Sequence, residues 1–258
     1  MDELGHARTS VALNSYVMTT FPARPFLTAR WVHLAMLNYE VDPQILRALV
    51  PKGTELDFWN GRCLVSVVGF QFLDTRILGF AVPLHRDFEE VNLRFYVKRA
   101  AGGEVRRGVV FIKEIVPRRA LAWVANTVYN EKYVALPMRS DDRLVTESRS
   151  VAYCWRYDGT WCRLAATVDG ESHLPGESSE QSFITEHYWG YTRQRDGSTL
   201  EYQVEHPRWN VWNARHSELA GDVAALYGAD LGVHLTGSAS SCFVADGSEV
   251  LVRRGRLL

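Results

Sequence analysis

Five turn dipeptides set the limits on what this chain can fold into. Asn60-Gly61, Asp158-Gly159, Asp196-Gly197 and Asp246-Gly247 each lie between β-rich segments, and Gly102-Gly103 separates VNLRFYVKR from VRRGVVFIKEI. Such pairs supply the positive φ values that two-residue hairpin turns require. Five candidate hairpins predict a mainly β (α+β) chain whose antiparallel sheet curls into a barrel or half-barrel. About three short helices interrupt it. The first covers residues 42–50, with Asp42 as N-cap, Pro43 in the first helical position and Pro51 as terminator. A second follows Pro117, where Leu121, Val124, Ala125 and Val128 recur at helical spacing. A third starts at Ser217, places Leu219, Val223 and Leu226 on one face and stops at Gly228.

With 258 residues, 47% hydrophobic and 12% aromatic, the chain can bury a sizeable core. No repeat, linker or low-complexity tract divides it, so residues 24–258 read as one domain after an extension over residues 1–23. That extension lacks a basic segment followed by an apolar core, and no apolar run reaches the roughly 18 residues of a membrane span. The expectation is a cytoplasmic protein with no membrane association. A net charge of −1 offers no footprint for nucleic acid, and Arg253, Arg254 and Arg256 read as a solvated tail. Nucleophile-elbow, phosphate-loop and dinucleotide-binding glycine motifs are all missing, so no cofactor is expected.

The Asp158-Gly159 turn pairs Tyr157 with Thr160, Trp155 with Cys162 and Cys154 with Arg163. Cys154 and Cys162 then point to opposite faces and cannot bridge each other. Cys63 and Cys242 stand alone, and no metal-ligand spacing accompanies any of them. Counting back from Asp196-Gly197 sets His187 opposite His206, next to a Trp189, Tyr191 and Tyr202 stripe. No third ligand is spaced to join the two histidines, which favours an aromatic stripe with histidines at its rim over a metal site.

Along FEEVNLRFYV, alternation sends Glu90, Asn92, Arg94 and Tyr96 to one face and Val91, Leu93, Phe95 and Val97 to the other. The apolar face belongs in a core. The polar face lines either a cavity or the solvent, and two readings of it stand side by side. In one, Arg94 holds a substrate carboxylate through two parallel hydrogen bonds, Asn92 helps bind it and Glu90 moves a proton. In the other, Glu90 and Arg94 satisfy each other's charge.

Taken in order, Trp31, the Asp42-Pro43 helix ending at Pro51, Gly53, Glu55, Leu56, Asp57, Phe58, Asn60, Gly61, Phe70 and the Glu90–Arg94 strand resemble the YqjF-type family, number 2071 among domains of unknown function. YNEKY (129–133) and LEYQVEHPRW (200–209) extend the resemblance more weakly. That family belongs to the acetoacetate decarboxylase-like superfamily, whose best-understood members form a Schiff base between a lysine and a carbonyl substrate. The resemblance implies that fold, a pocket carboxylate at Glu90 and a reactive residue just beyond the second helix. There the superfamily runs aromatic, Gly, aromatic or aliphatic, Pro, Lys, and this chain has Tyr129, Asn130, Glu131, Lys132, Tyr133.

Tyr133 stands at the lysine position, and a phenol cannot form an iminium. Lys132 reaches that place only by a one-residue shift, and it reads either as a Schiff-base nucleophile or as a solvated loop lysine. The function expected is therefore a pocket protein for a small carbonyl or carboxylate compound. Lyase, hydratase or isomerase chemistry would be run by Glu90 and Tyr133, with Arg94, Asn92 and Tyr129 as binding residues. A non-catalytic binding domain and a Lys132 decarboxylase are the alternatives. Whether the chain self-associates is left open.

Overall fold

Alternating apolar residues and paired turn residues produce long strands here, and the strands dominate the chain. In the computed structural model, residues 24–81, 85–118, 130, 132–145 and 148–258 are described. The first strands are β1 (Leu27–Glu40), β2 (Glu55–Leu56), β3 (Leu64–Ile77), β4 (Phe80–Ala81), β5 (Phe88–Ala101) and β6 (Glu104–Val116). Then come β7 (Tyr133–Ala135), β8 (Met138–Val145), β9 (Ser148–Tyr157), β10 (Thr160–Asp169) and β11 (Trp189–Arg193). The last are β12 (Thr199–Glu205), β13 (Val211–Ala220), β14 (Ser241–Val252) and β15 (Arg256–Leu257). The described helices are α1 (Pro43–Leu46), α2 (Glu180–Thr185), α3 (Val223–Tyr227) and α4 (Ala229–Leu235).

Pairing runs β15-β12-β11-β6-β5-β3-β1-β14-β13-β10-β9-β8, and β12 also pairs with β14 through Val204–Val252 and Glu205–Leu251. The sheet therefore curls until its path returns on itself, and β13, β10, β9 and β8 continue from β14 as a second layer. Most pairs are antiparallel as expected, but β11–β6 and β6–β7 are parallel, so the sheet is mixed. One core fills the inside of the curl, with Leu34, Met36, Phe70, Phe72, Tyr96 and Phe243. The other lies between the layers, where Val91, Leu93 and Phe95 meet Val151, Trp155 and Leu164.

The turn pairs divide by backbone conformation. Asn60-Gly61, Gly102-Gly103 and Asp158-Gly159 have positive φ at both residues and make tight two-residue reversals. The Asp158-Gly159 register is as expected, with Cys162 opposite Trp155 and Arg163 opposite Cys154, and all four cysteines are free. At Asp196-Gly197 only the glycine has positive φ, and Gln194 pairs with Ser198 across a three-residue loop. That shifts the expected register by one, so Tyr202 faces Gly190 and Tyr191 faces Glu201. Asp246-Gly247 makes no hairpin at all. It lies inside β14, whose register against β1 is unbroken from Val32–Gly247 to Leu34–Ala245, with Gly247 at φ 84° against the Trp31 carbonyl.

Helix α1 starts as the sequence implies, the Asp42 side chain accepting from the Gln44 amide at 2.8 Å, and tightens over Arg47–Leu49. The helix expected after Pro117 lies largely outside the described residues. The third expected helix begins later, at Val223 with Asp222 as cap, because Ser217 and Leu219 are held in β13 opposite Ala166 and Leu164. Tertiary pairing overrides the local spacing there. Helix α2 was not anticipated; Ser179 caps it, accepting from the Ser182 amide at 3.1 Å. Among the described residues no helix is long and apolar enough to cross a membrane.

Candidate active site

Tyr133, Glu90, Asn92 and Arg94 come together around a cavity of about 240 Å³ inside the curled sheet. Alternation along β5 puts them there, since Val91, Leu93, Phe95 and Val97 are committed to the core between the layers. Asn92 on β5, Glu114 on β6 and Tyr133 on β7 lie abreast in register, with Glu90 one alternation step along β5. Glu90 is 2% exposed. Its Oε1 accepts from Asn92 Nδ2 at 3.0 Å and its Oε2 from the Tyr133 hydroxyl at 3.1 Å. A buried carboxylate thus faces a cavity with a phenol bonded to it.

Glu114 was missed from the sequence, and a β-bulge explains why. Leu93 pairs with Lys113 but Arg94 pairs with Phe111, so Ile112 is the extra residue. Strict alternation from Phe111 would turn Glu114 outward; the bulge brings both to the cavity wall. Glu114 is 2% exposed, so two carboxyl groups are buried on one wall.

Lys132 is exposed and does not line the cavity, and neither do Lys52, Lys98 or Lys113, the other lysines of the chain. Lys113 points the opposite way, donating to the Leu226 carbonyl near the Tyr227 ring. Tyr129 lies outside the described residues.

Arg94 turns away from Glu90. Its Nη2 donates to the Ile184 carbonyl of α2 at 3.3 Å, and its Nε is buried with no hydrogen-bond partner. Beside it, His187 is buried against Tyr96 and Phe183 at ring distances of 4.7 and 5.0 Å. His187 Nε2 lies 3.2 Å from Asp57 Oδ2, which also accepts from Arg107 Nε at 2.7 Å. Burial raises the Asp57 carboxyl, but the His187 and Arg107 hydrogen bonds outweigh it and leave the group lowered. Burial, reinforced by the charges of Arg107 and Arg94, pushes His187 down to about 4 despite its Asp57 bond. The ionised Asp57 then accepts a hydrogen bond from the Nε2–H of a neutral imidazole. His206, stacked on Trp209 at 4.0 Å, is also pushed down to about 4, first by burial and then by Arg94. Both histidines line the cavity although they are not cross-strand partners. Among the described residues no group of three His, Cys, Asp or Glu is placed to hold a metal.

Most of the remaining wall is apolar and aromatic, with Thr75, His85 and Thr185 also lining it. Trp31, Phe70, Phe72 and Phe88 form a chain of ring contacts, with Phe72 and Phe88 stacked at 4.6 Å. The expected basic tail is not solvated as a unit. Arg253 binds Glu205 through two bonds of 2.6 and 3.0 Å, and Arg256 binds the buried Glu201 at 2.7 Å.

A family model, DUF2071, described as an uncharacterized conserved protein (COG2071), matches residues 28–249. The chain is 26% identical over 207 residues to the uncharacterized protein YqjF of Bacillus subtilis, covering 78% of this chain and 81% of that one. Among solved structures it is similar to acetoacetate decarboxylase from Legionella pneumophila, with TM-score 0.60 and 15% identity over 98% of this chain and 92% of that one. It is likewise similar to an acetoacetate decarboxylase-like enzyme from Sphingomonas wittichii, with TM-score 0.61 and 14% identity over 96% and 99%. The enduracididine biosynthesis enzyme MppR, complexed with the condensation product of pyruvate and imidazole 4-carboxaldehyde, gives TM-score 0.63 and 13% identity over 99% and 97%. These likenesses establish the acetoacetate decarboxylase-like fold.

Proposed function

This chain belongs to the DUF2071 family, and on that premise we propose that it is an enzyme acting on a small carbonyl compound that bears a carboxylate, by acid–base chemistry and without a Schiff-base lysine. The observation that carries the proposal is the buried Glu90, bonded to Tyr133 and Asn92 and open to a cavity that none of the chain's lysines lines. That its structural neighbours include enzymes supports it further.

In the proposed reaction Glu90 removes a proton from the carbon next to the carbonyl. The C–H electron pair becomes the new C=C bond, and the carbonyl oxygen takes the Tyr133 proton. The phenolate then recovers a proton from the Glu90 carboxyl, and the net change is keto to enol. Asn92 keeps Glu90 oriented by its bond to Oε1, while Arg94 holds the substrate carboxylate. An enol formed this way is the shared intermediate of isomerase, hydratase and lyase outcomes. Lys132 as an iminium-forming residue is the weaker reading, because a nucleophilic lysine must be desolvated to be neutral and Lys132 is exposed.

Proton NMR in deuterated buffer, with a panel of 2-oxo and 3-oxo acids, tests this. At least one acid should exchange its α-protons faster with protein than without, and borohydride should trap no protein adduct. Tight binding without exchange would leave a non-catalytic binding domain. An adduct mapped to Lys132 would restore the decarboxylase reading.

A further inference from the structure

The cavity is graded along its length. Phe88, Glu90, Asn92 and Arg94 line it in succession along β5. At the Phe88 end the wall is mostly apolar, the Phe72–Phe88 stack and Ile77 lying beside the buried Thr75 and the half-buried His85. At the other end stands Arg94, the sole arginine or lysine among the described lining residues, with its Nε buried and unpartnered. Between the two ends lie Glu90 and Glu114.

We infer that the ligand is an elongated amphipathic acid, its carboxylate on Arg94 and an aromatic or branched apolar tail between Phe72, Phe88 and Ile77. This rests on the proposed reading of the site and names its substrate class. The buried carboxyl groups halfway along disfavour an anionic head there, since like charges in a low dielectric repel strongly. Arg94 offers a cation whose guanidinium is not already spent on a carboxylate, so the head belongs at that end. A chain placed with its head there carries its middle past Glu90 and its tail into the rings. Size agrees with this class. A cavity of about 150 Å³ holds benzene, so 240 Å³ suits about ten non-hydrogen atoms. A short acid would leave the Phe88 end unfilled, and burying a phenyl group there raises affinity more than tenfold.

Calorimetric titration of the full chain with propanoate, 3-phenylpropanoate and 3-phenylpropanamide tests this without requiring turnover. The expected result is 3-phenylpropanoate binding at least tenfold tighter than propanoate and at least tenfold tighter than the neutral amide. Ile77→Trp, which fills the tail end from a half-buried position, should shrink the preference for the phenyl acid over propanoate at least fivefold. Equal affinities for the two acids, an amide that binds as well as the acid, or an Ile77→Trp preference that is unaltered would each overturn the inference. A tail preference without α-proton exchange would retain this ligand class and remove the enzymatic reading. Exchange confined to short acids that gain nothing from a tail would do the opposite.

Discussion

His187 shows how one residue can be central to a site and to stability together. Inside the protein its imidazole is pushed down to about 4 and stays neutral above that, whereas an unfolded histidine takes a proton near 6.5. Between those values the unfolded chain binds more protons, so stability falls as pH drops through that window, by about 2 kcal/mol at pH 5 for this group. Asp57, held low, adds its own loss only on further acidification below the ordinary carboxylate range. Melting temperatures at pH 7 and pH 5 should therefore show a fall that is smaller in His187→Asn; an equal fall would show that His187 does not titrate on unfolding. The sequence marked His187 and His206 as a pair but assigned them to a rim. What it could not supply was Asp57, 130 residues away, which fixes the tautomer. That Glu90, Asn92 and Arg94 share one face was legible because β5 alternates without interruption, but alternation alone did not say whether that face met a cavity or solvent. Glu114 was hidden because the bulge at Ile112 breaks the count on β6.

At the scale of elements, the three dipeptides with two left-handed residues make the two-residue reversals expected of them. Asp158 at φ 44° and Gly159 at φ 79° make the tight turn that sends Cys154 and Cys162 to opposite faces. Thiol titration of the unfolded protein without reductant should find both free, and a disulfide-linked peptide joining them would contradict the register. Aspartate-glycine pairs with only the glycine left-handed serve two other purposes, a longer loop after Arg193 and continuation of β14. Composition does not separate these cases, since the difference lies in the φ of the aspartate. The helical spacing after Ser217 was misleading for a related reason: β10 offers β13 a ladder, and an edge that can be paired outweighs a weak local preference.

For the whole molecule, closure of the curl depends on contacts between residues far apart in sequence. Glu201 of β12 is buried and accepts from Arg99, Arg106 and Arg256 at 3.1, 2.8 and 2.7 Å and from Tyr191 at 3.1 Å. Burial alone raises its carboxyl; the Arg256 and Tyr191 bonds and the Arg106 charge outweigh that and leave it lowered. Removing it strands three guanidinium groups, and because these reach solvent the cost is about 2 kcal/mol rather than the full penalty of a buried pair. Urea unfolding of Glu201→Ala should register that loss, and a change within about 0.5 kcal/mol would contradict the role given to this cluster. The fold class and the curl of the sheet were legible from turns and alternation, and the family resemblance implied the same fold. The graded cavity was not, because it needs the closure of β12 on β14 and the arrival of α2 beside Arg94. Proton transfer in the cavity falls to Glu90, and the α-proton exchange rates of Glu90→Gln and Lys132→Met against the parent chain measure it. Glu90→Gln should lose at least about a hundredfold while Lys132→Met keeps the parent rate. Full exchange in Glu90→Gln together with its loss in Lys132→Met would instead put the chemistry on Lys132.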